Sequence, residues 1–329
     1  MEQNALSRLT SQKIPPLRPV PCLHEDALAG LVRAPRSMPP KYFYDDRGSQ
    51  LFDAICETPE YYPTRTEDAL LAHYAGEIID QVRPEHIVEF GSGAARKTRQ
   101  LLDVCDELGG AAAYWPFDVC ESMLLESGRR LVRDYEWLTV NALVGDYLAG
   151  LQHVPRPPGS CLYLFLGGTI GNFSEAQARR FLHDVRAQMS EDDHLLLGAD
   201  RIKDVEVLSA AYNDRQGVTA AFNLNLLEVL NRELDGDFQL PQFEHQALFN
   251  ADDSQIEMYL VSSCQQSVTL KALQKTLDFQ AGEKILTEIS RKFTPERLNA
   301  LLKDAGFNVV QHLQPANGYF SLVLAKPVI

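Results

Sequence analysis

Apolar residues recur along this chain in two different rhythms, and the change from one to the other divides it. Between residues 64 and 200 short apolar runs alternate with stretches of helical period. Leu70, Leu71, Tyr74, Ile78 and Val82 follow Thr64 and Glu67, a pair with the form of a capping box, so the spacing predicts a helix from about Thr64 to Val82. HIVEFGSG then reads as a short buried strand ending in a glycine turn, with ARKTRQLLDVCDEL as the helix behind it. AYWPFDV and LTVNALVGDY are the next two strands, separated by the helical CESMLLESGRRLVRDY. The strongly apolar CLYLFLGGTIGNF is a fourth strand and DHLLLGAD a fifth, with SEAQARRFLHDVRAQM between them, capped by Ser174 and Gln177. Strands separated by helices of this length predict a parallel sheet covered on both faces, a doubly wound α/β domain.

After residue 200 the rhythm changes. Phe222, Leu226, Leu230 and Leu234 form a helical stripe that stops near Gly236, and IEMYLVSSCQQSVTL alternates as antiparallel strands do. At Thr294-Pro295 a new helix starts, with Thr as N-cap and Pro at the first position; it closes at Gly306, and FNVVQHL and YFSLVLAK finish the chain as strands. The expectation is therefore a second, α+β domain inserted after the fifth strand. Residues 1–40 are Pro-rich and predict irregular coil with a short helix, and the aromatic-rich segment KYFYDDRGSQLFDAICETPEYYPTRTE predicts a surface or cleft lining.

Composition narrows the partners. The 329 residues carry a formal net charge of -14 and 45% hydrophobic residues, which supports a sizeable core and disfavours phosphate backbones and anionic membranes. Six cysteines (Cys22, Cys56, Cys105, Cys120, Cys161, Cys264) are scattered, with no CxxC pair and no His at ligand spacing, so reduced thiols are expected and no metal site. The N-terminus shows no apolar signal core, and the run Cys161–Gly168 is too short to span a bilayer. A cytoplasmic, monomeric protein with a small-molecule substrate is the expectation, with neither nucleic acid nor membrane as a partner.

Chemistry concentrates at three strand ends. Glu89-Phe90-Gly91-Ser92-Gly93 closes the first strand of the sheet with a turn in which backbone can approach a ligand. Asp118 ends the second strand, where a carboxylate can accept both ribose hydroxyls of a nucleoside. Asp146 ends the third, where it can accept an adenine amino group; alternatively both acids only cap local turns. A dinucleotide fingerprint wants a third small residue where this chain has Arg96, and no phosphate-binding GxxxxGK[ST] is present. An adenosyl ligand without phosphates fits better, S-adenosylmethionine being the common one. Lys97 then either meets the methionine carboxylate of that ligand or is a solvated lysine on its helix.

The segment from Lys41 to Glu67, together with VEFGSGAARKTRQLLD, FLGGTIGNF, GVTAAFNLNLLEVLNRELDGDF, QIEMYL and ILTEISRKF, closely resembles the histidine-specific Nα-methyltransferases of ergothioneine biosynthesis, from about Met38 to the C-terminus. That family converts L-histidine to the trimethylated betaine hercynine with three S-adenosylmethionines. The resemblance implies a class I methyltransferase (Rossmann-like) domain over 63–200 plus 293–329, and a substrate-binding domain over 15–62 plus 201–292 that covers the amino-acid site. It places Gly91, Lys97, Asp118, Asp146 and Tyr147 at the cofactor, with Tyr at 147 where the family has Phe. It places Tyr61, Asn172, Tyr212, Glu288 and Ser290 at the substrate, with Tyr44 and Met258 lining the pocket, and implies catalytic contacts for Tyr44, Asn172 and Tyr212. A carboxylate at Glu288 suits a ring that can donate a hydrogen bond or carry charge, and a neutral indole would leave it poorly satisfied, so histidine is favoured over tryptophan. Other acceptors, a nicotinamide-dependent oxidoreductase and a non-catalytic amino-acid-binding protein are the competing readings.

Overall fold

A computed structural model of the chain describes residues 6–110 and 113–328; the first five residues, on which the expectation of no apolar leader partly rests, lie outside them. The chain divides into two units, one of Met1–Val20, Thr66–Arg201 and Phe293–Ile329, the other of Pro21–Arg65 and Ile202–Lys292.

The first unit is built on alternation. Along β3 (His86–Phe90), Val88 and Phe90 enter one apolar cluster while Ile87 enters the other, so the strand is buried on both faces. It pairs in parallel with β4 (Ala113–Asp118) and β6 (Cys161–Phe165), beyond which lie the parallel β5 (Thr139–Val144) and β7 (His194–Asp200), joined at the β7 side by the antiparallel β14 (Phe320–Pro327) and then β13 (Phe307–Leu313). With the edge strand β1 (Leu9–Lys13), the order β1-β5-β4-β3-β6-β7-β14-β13 reverses direction between β3 and β6, the switch point expected of a doubly wound class I methyltransferase sheet. The cluster on one face includes side chains of the helices Glu175–Gln188 and Pro295–Asp304, and the cluster on the other takes those of Tyr62–Val82, Arg99–Glu107 and Glu121–Asp134. The caps read at Ser174/Gln177 and at Thr294 are formed.

Three local expectations are corrected. Residues 9–13, read as coil, form the edge strand β1 (Leu9–Lys13). It has no apolar alternation of its own; it is held by parallel pairing to β5 and by the Arg8 guanidinium, which donates to the carbonyls of Val132, Tyr135 and Leu138. Residues 15–20, expected with the second domain, belong to the first unit, because the chain continues along the same edge, Leu17 and Arg18 donating to Ala149 O at 3.0 and 2.8 Å. The helix expected to start at Thr64 starts at Tyr62, and Glu67 does not cap it but is fully buried.

The second unit holds a four-stranded sheet in the order β2 (Arg36–Ser37), β12 (Lys284–Arg291), β9 (Gln255–Ser262), β8 (Phe243–Asn250), and a separate ribbon of β10 (Gln266–Leu270) and β11 (Lys275–Phe279). The helix Val218–Leu234 buries Phe222, Leu226, Leu230 and Leu234, the stripe visible in the sequence, and stops at Asp235 in the left-handed conformation (φ 48). It packs on the helix Asp46–Glu57, whose N-cap Asp45 accepts from Gly48 N and from Asn225 Nδ2, both at 2.8 Å. Shorter helices Leu23–Leu31 and Val205–Ala211 complete the unit. Among the described residues no helix is long and apolar enough to cross a membrane, and all six cysteines are free thiols.

Candidate active site

The adenosyl half is assembled at adjacent strand ends of the first unit. Gly91 and Gly93 both adopt left-handed backbone (φ 70 and 49), and Gly91 N donates to Phe117 O at 2.8 Å, locking the turn to the end of β4. A Cβ at Gly91 would meet the Tyr147 ring at 3.5 Å, so the Tyr147 side chain itself turns toward the glycine turn. That ring is seated among Phe117, Phe165, Phe173 and Phe181, and burial, then Asp118 and Asp146, raises its phenol well above the usual range.

Asp118 is tied into the same turn. Its Oδ2 accepts from Gly93 N and its Oδ1 from Cys120 N, each at 3.0 Å, and Asp146 Oδ1 accepts from Leu148 N at 2.8 Å. Both acids therefore do cap local backbone, yet each carboxylate keeps acceptor capacity beyond those bonds. The arrangement tests the ligand class. A pyrophosphate needs the glycine-turn N–H groups and no anion beside them; here one of those N–H groups is already given to a carboxylate. An uncharged adenosine edge with hydroxyl and amino donors suits these acceptors, so the residues fit S-adenosylmethionine.

Lys97 is not a solvated lysine. Its Nζ pairs with Glu67, a side chain with no exposed surface, whose two oxygens also accept from Gly167 N at 2.9 and 2.8 Å. A Cβ at Gly198 would collide with Glu67 Oε1, so the neighbouring strand must carry glycine there. Glu67 thus holds Lys97 and the end of β6 together. Past that end, Gly167 and Gly168 (φ 80 and 66) turn the chain into the 3-10 turn Thr169–Asn172, which carries Asn172 at the same sheet edge as Gly91. Glu89, one residue before the glycine turn, is also buried; burial pushes its carboxyl up to about 7, opposed by hydrogen bonds from Thr98 Oγ1 (2.5 Å) and Tyr114.

The second unit brings the other named side chains together. Tyr212 Oη donates to Ser290 Oγ at 2.8 Å, and its ring lies edge-on to Tyr61 with centroids 6.1 Å apart. Burial, then Tyr212, Cys56, Glu288 and Tyr44 nearby, hold the Tyr61 phenol well above its ordinary value. Tyr44, Phe52 and Phe222 extend this aromatic wall, with Tyr44 centroids 5.8 and 5.7 Å from the other two rings. Glu288 and Ser290 alternate to one face of β12, and Glu288 sits opposite Met258 of β9 across a bulge at Thr287. Met258, directly across from Glu288 and so on the same face of the sheet, is only 2% exposed.

Several supporting residues escaped the sequence reading. Thr287 Oγ1 donates to Asn223 Oδ1 (2.7 Å), Asn223 Nδ2 donates to His245 Nδ1 (2.9 Å), and His245 Nε2 donates to Tyr212 O (2.8 Å). Because His245 Nδ1 faces the Asn223 amide donor, the relay from the bulge to Tyr212 is built for a neutral ring, and burial lowers the His245 pKa in the same sense. Glu67 left a signal, since it falls on the apolar stripe of Leu70, Leu71, Tyr74 and Ile78, where an acid is out of place. Lys292 also left one, sharing the parity of Glu288 and Ser290. Asn223 and His245 left none.

Comparison with known proteins agrees with this geometry. Residues 23–327 match the family described as histidine-specific, SAM-dependent methyltransferase. The chain is 43% identical to a histidine N-alpha-methyltransferase of Mycobacterium tuberculosis and 44% to one of Mycolicibacterium smegmatis, each over 92% of this chain and 94% of the relative. It is 26% identical to ergothioneine biosynthesis protein 1 of Schizosaccharomyces pombe over 88% of this chain, a segment that spans 39% of that longer protein. These findings set aside the oxidoreductase reading. The strand-end acids, the phosphate-averse glycine turn and the family match converge: this chain belongs to the histidine-specific, S-adenosylmethionine-dependent methyltransferases.

Proposed function

We propose that the protein methylates the α-amino group of L-histidine three times to give hercynine, the entry reaction of ergothioneine biosynthesis. S-adenosylmethionine supplies a methyl group already activated for in-line displacement. The first unit holds that donor through the Gly91 turn, Asp118, Asp146 and Tyr147, with Lys97 and Asn172 at the same edge. The second unit reads the amino acid through Tyr61, Tyr212, Glu288 and Ser290.

Little acid–base help is required. A free α-amine has a pKa of about 8, and placing it near a positive sulfonium in a desolvated site lowers that value. Each of the first two transfers leaves an ammonium that must lose a proton; we assign its passage to water to Tyr44, a role its 45% exposure supports. Asn172 is assigned as a donor to the carboxylate and Tyr212 Oη, whose proton goes to Ser290, as an acceptor for an amine N–H, neither making a fixed ion pair. Aromatic walls of Tyr44, Phe52 and Tyr61 tolerate the permanent cation of the product.

The observation that carries the reading is the Glu288–Ser290 face of β12, an acceptor and a hydroxyl side by side on an aromatic wall. Incubating free histidine with S-adenosylmethionine should yield mono-, di- and trimethylated histidine by mass spectrometry; unmodified histidine alone would end the proposal. Glu288 is the ring reader in this scheme. Glu288→Ala should lower kcat/KM for histidine about tenfold to a hundredfold more than for tryptophan, since the imidazole pairs its N–H with Glu288 while its second nitrogen faces Ser290, a two-point pose that the larger indole, with one N–H and no bare nitrogen, does not adopt. Equal losses for the two substrates would transfer the assignment to another amino acid.

A further inference from the structure

A buried lysine stands behind the substrate-reading hydroxyls. Lys292 is 2% exposed, and its Nζ lies 2.9 Å from Tyr212 Oη and 2.9 Å from Ser290 Oγ, while those two oxygens are 2.8 Å apart. The same Nζ sits 4.7 Å from the Tyr212 ring centroid. Glu288, Ser290 and Lys292 share one parity along the strand and its end.

Counting protons gives this triangle a consequence. An ammonium donates and never accepts, so both hydroxyl oxygens receive from Lys292. The two hydroxyls own two protons. One is spent between them, from Tyr212 to Ser290, and the other, on Ser290, must point out of the triangle. The hydroxyl pair is thereby reduced to a single outward donor, two residues along the strand from the Glu288 acceptor. One donor beside one acceptor is the complement of a neutral imidazole, which has one N–H and one bare nitrogen. An indole offers no bare nitrogen, and a doubly protonated imidazolium offers none either.

We propose that Lys292 is a positioning residue for substrate specificity: acting through Ser290 and Tyr212, it makes the wall of the second unit read the acceptor nitrogen of a neutral histidine ring. This rests on histidine being the substrate. The test compares histidine, thiazol-4-ylalanine, thiazol-5-ylalanine and thienylalanine as methyl acceptors for the wild type and Lys292→Met. The two thiazoles carry a bare nitrogen at one or the other imidazole position and no N–H, and thiophene carries neither. In the wild type one thiazole isomer should exceed thienylalanine in kcat/KM by about tenfold, the worth of one neutral hydrogen bond. In Lys292→Met that preference should shrink to about twofold or less, with KM for histidine raised about tenfold and kcat changed less than about threefold.

A wild type that does not separate either thiazole from thiophene overturns the inference, whatever the folding of the variant. So does a preference that survives in Lys292→Met, or a loss equal for every acceptor including thienylalanine, which would make Lys292 an anchor for the common amino-acid end. Failure of the wild type to methylate histidine is a separate result and removes the functional reading itself.

Discussion

Glu67→Ala should destabilise the first unit by about 3–5 kcal/mol, the range for removing one partner of a buried ion pair. The carboxylate has no exposed surface, Lys97 is 19% exposed, and both Glu67 oxygens accept from Gly167 N, so alanine strands a backbone donor and takes from Lys97 its buried ion-pair partner. Chemical denaturation followed by circular dichroism measures the loss. Glu67→Gln keeps an acceptor for Gly167 N and should cost distinctly less. A Glu67→Ala protein unfolding at the wild-type denaturant midpoint would show that the pair contributes nothing. Because Glu67 also aligns Lys97 with the end of β6, donor binding should weaken in parallel.

Asp118→Ala should weaken S-adenosylhomocysteine on the order of 100-fold, since it removes charged acceptors worth about 1.5–3 kcal/mol each. Two effects combine. The variant loses the carboxylate proposed for the ribose hydroxyls, and it releases the Gly93 and Cys120 amides that the same carboxylate holds at 3.0 Å. Asp118→Asn, retaining one oxygen acceptor, should fall between the two. Calorimetric titration of each protein with S-adenosylhomocysteine decides the matter; an affinity within about threefold of wild type for Asp118→Ala would reduce Asp118 to a turn cap. Together with Glu67→Ala this separates residues that meet the donor from those that hold the frame.

The resemblance to a known family names candidates for both sets of site residues, but the physical partners of those residues are legible only in part. Gly91, Asp118 and Asp146 stand out as candidates because each sits where a strand pattern stops, and strand ends in an α/β sheet share one edge. The sequence leaves Lys97 open, since a lysine on a helix looks the same whether it faces water or a buried acid. Glu67 was misread for a related reason: Thr64 and Glu67 satisfy a local capping pattern, and nothing local shows a competing partner 100 residues along the chain.

What this sequence determined by itself is what repeats over short distances: the alternation of Ile87 and Val88 between two apolar clusters, the stripe from Phe222 to Leu234, and the caps at Ser174 and Thr294. Periodicity and capping are properties of neighbouring residues, so a single chain displays them. The tertiary structure alone decided where polar groups without local partners go. Polar β1 became a strand because β5 had a vacant edge, Glu67 became a clamp because Gly167 N and Lys97 converge on it, and Lys292 came to order two hydroxyls because the strand carrying Ser290 runs beside Tyr212. Buried polar groups must find partners wherever the fold brings them, and those partners lie at separations no local pattern records.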